Sequence, residues 1–343
     1  MNFSKTLINW YSVNKRDLPW RNTTNPYYIW LSEIILQQTQ VAQGWPYYEA
    51  FVREFPTVFD LAMAKEEAVL NLWQGLGYYS RARNLHASAK YIVTNLNGIF
   101  PSTYKTIKEL KGVGDYTASA IASICFGENT AVVDGNVYRV LSRVFNVDTP
   151  INSTAGIKEF KFLAQELIDS KQPDVFNQAI MDFGSQACKP KQPLCESCVF
   201  NNNCKALQLN KTTELPVKLQ KTKVTKKYFN FLVIINKDRV LFEKRVGKGI
   251  WQNLYQFPLF ETETEASHVL VENYLKDELS YNDTSLYIYN ETPIIHKLSH
   301  QHLNTTFWII NTEADLNDSV PVNKLVDYPV PVLISNFIND FDF

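Results

Sequence analysis

No apolar run in the sequence is long enough to span a bilayer, and the first residues, Met1 to Tyr11, carry neither a signal-peptide core nor a small-residue cleavage site. A membrane or exported protein is therefore not expected; a cytoplasmic location is. Cysteine is scarce too, at five in 343 residues, too few for a disulfide-stapled scaffold. Net charge is nearly absent: the formal value of −1, taken whole, argues against a polyanionic partner. That balance hides an asymmetry. Residues 1–227 hold 26 Lys and Arg against 19 Asp and Glu, a net of +7, while residues 228–343 hold 8 against 16, a net of −8. Any phosphate-binding face belongs to the N-terminal portion and the segment following it, and the acidic remainder is expected to contact nucleic acid sparingly. With 45% hydrophobic residues there is material for two cores.

What is present is organised around residues 110–136. Gly112 and Gly114 bracket Val113 between an amphipathic run ending at Leu110 and a helix expected from about Tyr116 to Ile124, so about 105–125 reads as helix, tight hairpin and helix. Glycine lets the backbone turn sharply and present successive N–H groups at a helix start, where the macrodipole also favours an anion. Such a hairpin suits one DNA phosphate without reading sequence. Beyond it, Asp134 stands between Val132-Val133 and Gly135-Asn136, and a half-buried carboxylate beside a phosphate grip points to chemistry on the DNA backbone or its sugar. The plainer account is an ordinary interhelical turn and an N-cap at Asp134; on these residues alone both stand.

Upstream, a helix over 3–15 leads into Arg16-Asp17-Leu18-Pro19-Trp20-Arg21. Trp20 either anchors packing or, with Arg16 and Arg21, lines a pocket for a flat base. Residues 27–43 read as one apolar helix carrying a single acid, Glu33. Ile29, Trp30, Ile34, Ile35 and Leu36 leave little room for a polar face, so the carboxyl is desolvated and its pKa raised, which suits a general acid. The alternative is a surface Glu on a narrow polar strip. The polar end, Gln37 to Gln40, turns amides toward base edges or toward solvent. After an amphipathic segment over 45–70, Leu72 to Arg83 combine two glycines, two tyrosines and two arginines. This reads as a loop that pushes Leu76 or Tyr78 between base steps while the arginines meet phosphates, or as a helix–helix connection with packed tyrosines. Residues 137–187 are helical again.

Cys188, Cys195, Cys198 and Cys204 lie in one compact loop with Pro190 and Pro193. Without an export signal this spacing argues for a metal site over disulfides, and zinc and an iron–sulfur cluster suit four thiolates equally. Cys125 reads as a buried free thiol. Residues 208–227 are polar and lysine-rich, an interdomain connector able to follow a phosphate backbone. Strand-like runs then appear at 228–235, 240–245, 286–289 and 305–310, so the second part is α+β. His296, His300 and His302 cluster as a recognition loop, a metal site or the polar mouth of a hairpin, and the lack of nearby acids argues against the metal.

Taken together, Arg16–Arg21, Ser32–Val41, Trp73–Arg81, Leu110–Ala118, Val133–Leu141, Phe176–Gly184 and the four cysteines resemble the helix-hairpin-helix DNA glycosylase superfamily and, within it, the adenine DNA glycosylases of the MutY type. The likeness covers nearly the whole chain. It implies a multidomain fold: an all-α glycosylase domain over 1–207, formed by a six-helix barrel and an iron–sulfur cluster lobe; a connector over 208–227; and an α+β Nudix-like domain over 228–343 that recognises 8-oxoguanine. It turns the metal choice into a 4Fe-4S cluster on Cys188, Cys195, Cys198 and Cys204. Position by position, Glu33 matches the acid that protonates N7 of an extruded adenine. Asp134 matches the carboxylate that stabilises positive charge on the sugar, as in glycosidases. Tyr116 and Asn136 match residues that position this carboxylate and the sugar. Trp20, Arg21 and Gln178, with Arg16 beside them, match the adenine pocket, and Gln38, Thr39, Leu76 and Tyr78 match the surroundings of the opposing base. Gly112, Val113 and Gly114 match the phosphate-binding hairpin, and Ser299 and His300 the lesion-sensing loop.

Departures from the family pattern matter as well. Lyase-competent relatives such as endonuclease III carry lysine where Tyr116 stands, and tyrosine forms no imine, so the resemblance implies a monofunctional enzyme. Leu259 to Glu265 does not supply the Nudix arginine-glutamate-glutamate pattern, so pyrophosphohydrolase activity is not expected. Leu298 replaces the usual phenylalanine of the lesion-sensing loop, and Lys111 a common proline of the hairpin. The implied activity is excision of adenine opposite 8-oxoguanine or guanine in duplex DNA, leaving an abasic site and preventing G·C to T·A transversions. The chain is expected to act as a monomer.

Overall fold

A computed structural model describes residues 2–219 and 224–343. Residues 220–223 of the expected connector lie outside the described residues. The chain divides into two compact units, Met1–Met63 with Asn84–Gln220, and Ala64–Arg83 with Lys221–Phe343. The segment 64–83, which the sequence reading placed with the rest of 1–207, therefore packs with the second unit.

The first unit is helical. Its elements are α1 (Phe3–Asn14), α2 (Pro26–Ile35), α3 (Val41–Glu54) and α4 (Val58–Met63); α5 (Glu66–Leu72) belongs to the second unit, and α6 (Ser80–Asn95) begins there. Then come α7 (Tyr104–Ile107), α8 (Asp115–Phe126), α9 (Gly135–Phe145), α10 (Thr154–Leu167), α11 (Pro173–Gln186) and α12 (Lys205–Gln208). One core is formed by Phe3, Leu7 and Tyr11 of α1 against Val137, Val140, Leu141 and Val144 of α9 and Phe176, Ala179, Ile180 and Phe183 of α11. Burial of these apolar stripes, rather than helix propensity, supplies most of the stability.

α2 opens on Asn25, whose side chain accepts from the Tyr27 amide at 2.9 Å, with Pro26 at the first helical position. Every residue from Ile29 to Ile35 is buried, Ser32 and Glu33 included. The helix is shorter than expected. Gln38 adopts φ 56° and Gln40 is extended, so 27–43 is two helices, and Gln37–Gln40 form the turn between them. The amphipathic 45–70 segment likewise breaks, at Phe55-Pro56 and at Ala64-Lys65. The first break lies beyond what propensity signals, since Gln is a good helix former, whereas Pro56 marks the end of α3.

The hairpin forms as expected, though its first helix is the single turn α7, closed by a Thr103–Thr106 capping box. Gly112 sits at φ 79°, and a Cβ there would lie 2.9 Å from Asn84 Cβ, so the turn requires glycine. Gly114 differs: its φ of −94° is ordinary, and nothing stands within 4 Å of where a Cβ would be. Its missing side chain leaves room at the N-terminus of α8. Residues 208–219 are less solvated than a connector would be. Leu215 is buried with Cys204 and Ala206, its carbonyl accepts from Arg143 Nε at 3.1 Å, and the Val217 carbonyl accepts from the Ile151 amide at 3.0 Å.

The second unit is α+β. β1 (Thr225–Asn236), β2 (Arg239–Leu241), β3 (Glu243–Lys244), β4 (Tyr255–Gln256) and β5 (Leu259–Thr262) precede α13 (His268–Asp277). β6 (Thr284–Ile288), β7 (Ile294–Lys297), β8 (Gln301–Thr312) and β9 (Ser319–Pro321) follow, with α14 (Val332–Asp340) last. The sheet runs β6-β8-β1-β2-β9, with β5 on β1 and β7 on β8. Its centre is the parallel pair β1 and β8, in register from Thr225 opposite Gln301 to Ile235 opposite Asn311. Parallel central strands are buried on both faces, which is why Phe229 to Ile235 are an almost unbroken apolar run.

Candidate active site

Within the first unit, α2, α8, α9 and α11 wall a cavity of about 240 Å³ lined by Trp20, Glu33, Tyr116, Asp134, Asn136 and Gln178, among others. α2 turns Ile29, Ser32, Glu33 and Leu36 toward it, the spacing of one helix face. Glu33 is 9% exposed. Burial pushes its carboxyl up to about 7; a hydrogen bond with Tyr116 and the Arg21 charge oppose this, and Asp134 reinforces it. The group therefore retains its proton near neutrality, as a desolvated acid on an apolar helix should. The Tyr116 hydroxyl also donates to Met181 Sδ at 3.1 Å.

Asp134 caps α9. Its Oδ1 accepts from the Asn136 and Val137 amides at 2.9 and 2.8 Å, and its Oδ2 accepts from Asn136 Nδ2 at 2.8 Å. Burial raises its pKa above the ordinary aspartate value, against the pull of those three donors. The N-cap and the site carboxylate are thus the same group. α9 approaches α11 closely because Gly184 lies there: a Cβ on it would stand 2.6 Å from Asn136 Cβ. Arg139 locks the junction, donating to Asn136 Oδ1 at 2.8 Å, the Gly184 carbonyl at 2.7 Å and the Cys188 carbonyl at 2.7 Å.

Trp20 packs edge-on against Tyr48 and Trp45, with ring centroids 5.1 and 5.9 Å away, and also borders the cavity. Arg16 and Arg21 line the cavity too, but their donors converge on Asp182. Arg16 Nε and Arg21 Nη2 each reach Oδ1 at 2.8 Å, and Arg21 Nη1 reaches Oδ2 at 2.5 Å. Burial alone would raise the Asp182 pKa; the two guanidiniums outweigh it and hold the carboxylate ionised. Both arginines thus border the cavity from a clamp on Asp182. Asp182 and Arg139 carry no comparable signal in the sequence: α11 also holds Asp174 and α9 also holds Arg143, so neither stands out as a lone charge the way Glu33 does on α2. Thr39 reaches the cavity, whereas Gln38 is exposed on the turn at φ 56°.

In the second unit, Leu76, Tyr78, Trp251, Ser299 and His300 line a cavity of about 510 Å³. The Tyr78 hydroxyl and Ser299 Oγ are 2.5 Å apart. Ser299 and His300 form the turn between β7 and β8, closed by the Leu298 amide donating to the Gln301 carbonyl at 2.8 Å. The His296 ring lies tilted against Trp251, with centroids 5.7 Å apart. Tyr78 is exposed, but Leu76 is buried, so it does not stand out as a wedge. Arg81 donates to the Leu76 and Gly77 carbonyls, and Arg83 to that of Gln252 at 2.8 Å. These arginines brace the loop instead of offering free cations to phosphate.

Cys188, Cys195, Cys198 and Cys204 are free thiols lining one small cavity with Arg143. Among the described residues no group of three or more His, Cys, Asp or Glu is placed to hold a metal ion. The loop does supply what thiolate ligands of a cluster use. Arg143 Nη1 lies 3.5 Å from Cys188 Sγ, and the Phe200 amide donates to Cys198 Sγ at 3.4 Å. The donor set fits an iron–sulfur cluster.

Comparison with known proteins places these features in context. The profile described as HhH-GPD superfamily base excision DNA repair protein matches residues 31–165, and that of the NUDIX domain residues 230–340. The adenine DNA glycosylase of Buchnera aphidicola (subspecies Baizongia pistaciae) is 36% identical over 343 residues, covering 94% of this chain and 95% of its own. The Homo sapiens adenine DNA glycosylase is 46% identical over 215 residues, covering 60% of this chain and 39% of that one. Among solved structures, a thermostable thymine-DNA glycosylase superposes with a TM-score of 0.57 at 29% identity, covering 60% of this chain and 95% of that chain. An endonuclease III trapped on DNA superposes with a TM-score of 0.53 at 20% identity, over 60% and 94% of the two chains, a likeness of fold alone.

Proposed function

Since this chain belongs to the adenine DNA glycosylase family of the HhH-GPD base excision repair superfamily, and is thus a hydrolase of N-glycosidic bonds in DNA, we propose that it excises adenine paired with 8-oxoguanine or, less efficiently, guanine. The observation that carries this reading is a pair of carboxyls lining one cavity, buried Glu33 and half-buried Asp134, the first of them protonated near neutrality. Glu33 gives its proton to N7 of the extruded adenine, the C1′–N9 bond breaks, and adenine leaves as a neutral base. Asp134, ionised at the N-terminus of α9, stabilises the positive charge on the sugar until water adds at C1′ and its proton is lost to a carboxylate. Tyr116 and Asn136 hold the two carboxyls in place. The product is an abasic site.

The reaction stops there. Tyr116 offers no amine, and among the described residues no lysine lines the cavity, which supports a monofunctional enzyme. Gly112, Val113 and Gly114 take a phosphate of the duplex at the start of α8. Tyr78, Ser299 and His300 meet the opposing 8-oxoguanine. Cys188, Cys195, Cys198 and Cys204 would hold a 4Fe-4S cluster, which supplies iron–thiolate cross-links that fix the 188–204 loop. The test is single-turnover excision from 8-oxoguanine·A, G·A and T·A duplexes, with and without hot alkali. Breaks only after alkali, fastest for 8-oxoguanine·A and abolished in Glu33→Gln with DNA binding retained, are expected. Full activity in Glu33→Gln would remove the mechanism.

A further inference from the structure

We infer that Asp174 sets which base the first cavity accepts, taking a hydrogen bond from the exocyclic amine of a 6-aminopurine beside an amide donor on Gln178. The inference rests on the adenine-pocket reading above. α11 turns Asp174, Gln178 and Met181 to the cavity, the i, i+4, i+7 spacing of one helix face. The two polar groups have opposite sense. Among the described residues the Asp174 carboxylate makes no hydrogen bond or ion pair, and an ionised carboxylate only accepts. Gln178 Oε1 accepts from the Tyr11 hydroxyl at 3.2 Å, which leaves its Nε2 hydrogens to donate elsewhere.

An acceptor one helical turn from a donor is the complement of adenine's outer edge, where the C6 amine donates and the adjacent N1 accepts. A 6-oxopurine presents the reverse, a carbonyl acceptor next to an N1–H donor. The same two side chains that hold adenine therefore set lone pair against lone pair on guanine or hypoxanthine, and a site built around a hydrogen bond discriminates strongly against a ligand that cannot make it. A purely structural role is also available, since Asp174 lies in the first turn of α11, where an acid complements the macrodipole. That role touches stability and leaves base choice alone.

The full-length Asp174→Ala and Asp174→Asn variants would be assayed by single turnover on duplexes carrying adenine, unsubstituted purine or hypoxanthine opposite 8-oxoguanine. Asp174→Ala is expected to lower adenine excision about tenfold and to leave purine excision nearly unchanged, so the adenine-to-purine ratio collapses and hypoxanthine gains on adenine. Asp174→Asn, which keeps a carbonyl acceptor, falls between. Equal losses on adenine and purine, or an unchanged ratio, overturn the inference. Melting curves monitor folding, and should the alanine variant fail to fold, the ratio in Asp174→Asn decides. A parent chain that excises adenine from no duplex would instead remove the adenine-pocket reading itself.

Discussion

At the scale of the residue, Glu33 ties burial to chemistry through one proton. Its carboxyl sits at about 7 in the folded chain against an ordinary 4.5, so between those values the folded protein keeps a proton that the unfolded chain releases. The stability this group contributes is fully present below about pH 4.5 and lost as pH rises through 7. Glu33→Gln, neutral at every pH, should escape that loss. In paired urea titrations it is expected to gain on the parent by on the order of 2–3 kcal/mol between pH 4.5 and pH 8.5. A constant difference between the two proteins across that range would mean that the carboxyl is already ionised in the folded state. Catalysis carries the same signature, since a general acid works only while protonated. The single-turnover rate should fall toward tenfold per pH unit above about 7. On the acid side it should fall as Asp134, raised by burial, takes up a proton.

At the scale of the element, the site depends on how closely α9 and α11 approach, and Gly184 permits that approach. An alanine Cβ there would stand 2.6 Å from Asn136 Cβ and 3.2 Å from its backbone, so the start of α9, with Asp134 as its cap, has to shift. Gly184→Ala is expected to cost ~1–3 kcal/mol by overpacking and to lower single-turnover excision about 100-fold by misplacing a reacting group, while affinity for duplex DNA changes little. A variant as fast as the parent would show that the junction yields without moving Asp134. What the sequence made legible follows the same division. Glu33 and Asp134 stood out because their signals are local: an acid inside an apolar helix, and an acid before a Gly-Asn helix start. Gly112 likewise declared itself through turn chemistry. The break at Gln37–Gln40 did not, because only packing places Gln38 at φ 56°. Nor did the clamp on Asp182, whose partners Arg16 and Arg21 lie 166 and 161 residues away along the chain.

At the scale of the whole molecule, composition separated a basic helical part from an acidic α+β part, but the boundary is not one cut in the chain. Residues 64–83 leave the first unit and pack in the second. Glu67 pairs with Lys244 Nζ at 2.5 Å, Asn71 Nδ2 donates to the Asp327 carbonyl at 2.9 Å, the Tyr79 hydroxyl to that of Val330 at 3.0 Å, and Asn253 Nδ2 to Glu66 Oε1 at 2.5 Å. Trp73, Leu76 and Tyr79 are buried in the full chain. A chain ended at residue 219 keeps the whole candidate active site and all four cysteines, yet strips these partners from 64–83. It is expected to melt well below the full-length protein, to bind a hydrophobic dye, and to show a red-shifted tryptophan emission. Equal melting temperatures with no dye binding would show that 64–83 finds other cover when the second unit is missing. The Tyr79→Phe variant of the full chain removes one of these hydrogen bonds without removing the unit. Its loss should be far smaller, about 1 kcal/mol, because the ring stays buried and only the bond to the Val330 carbonyl is gone.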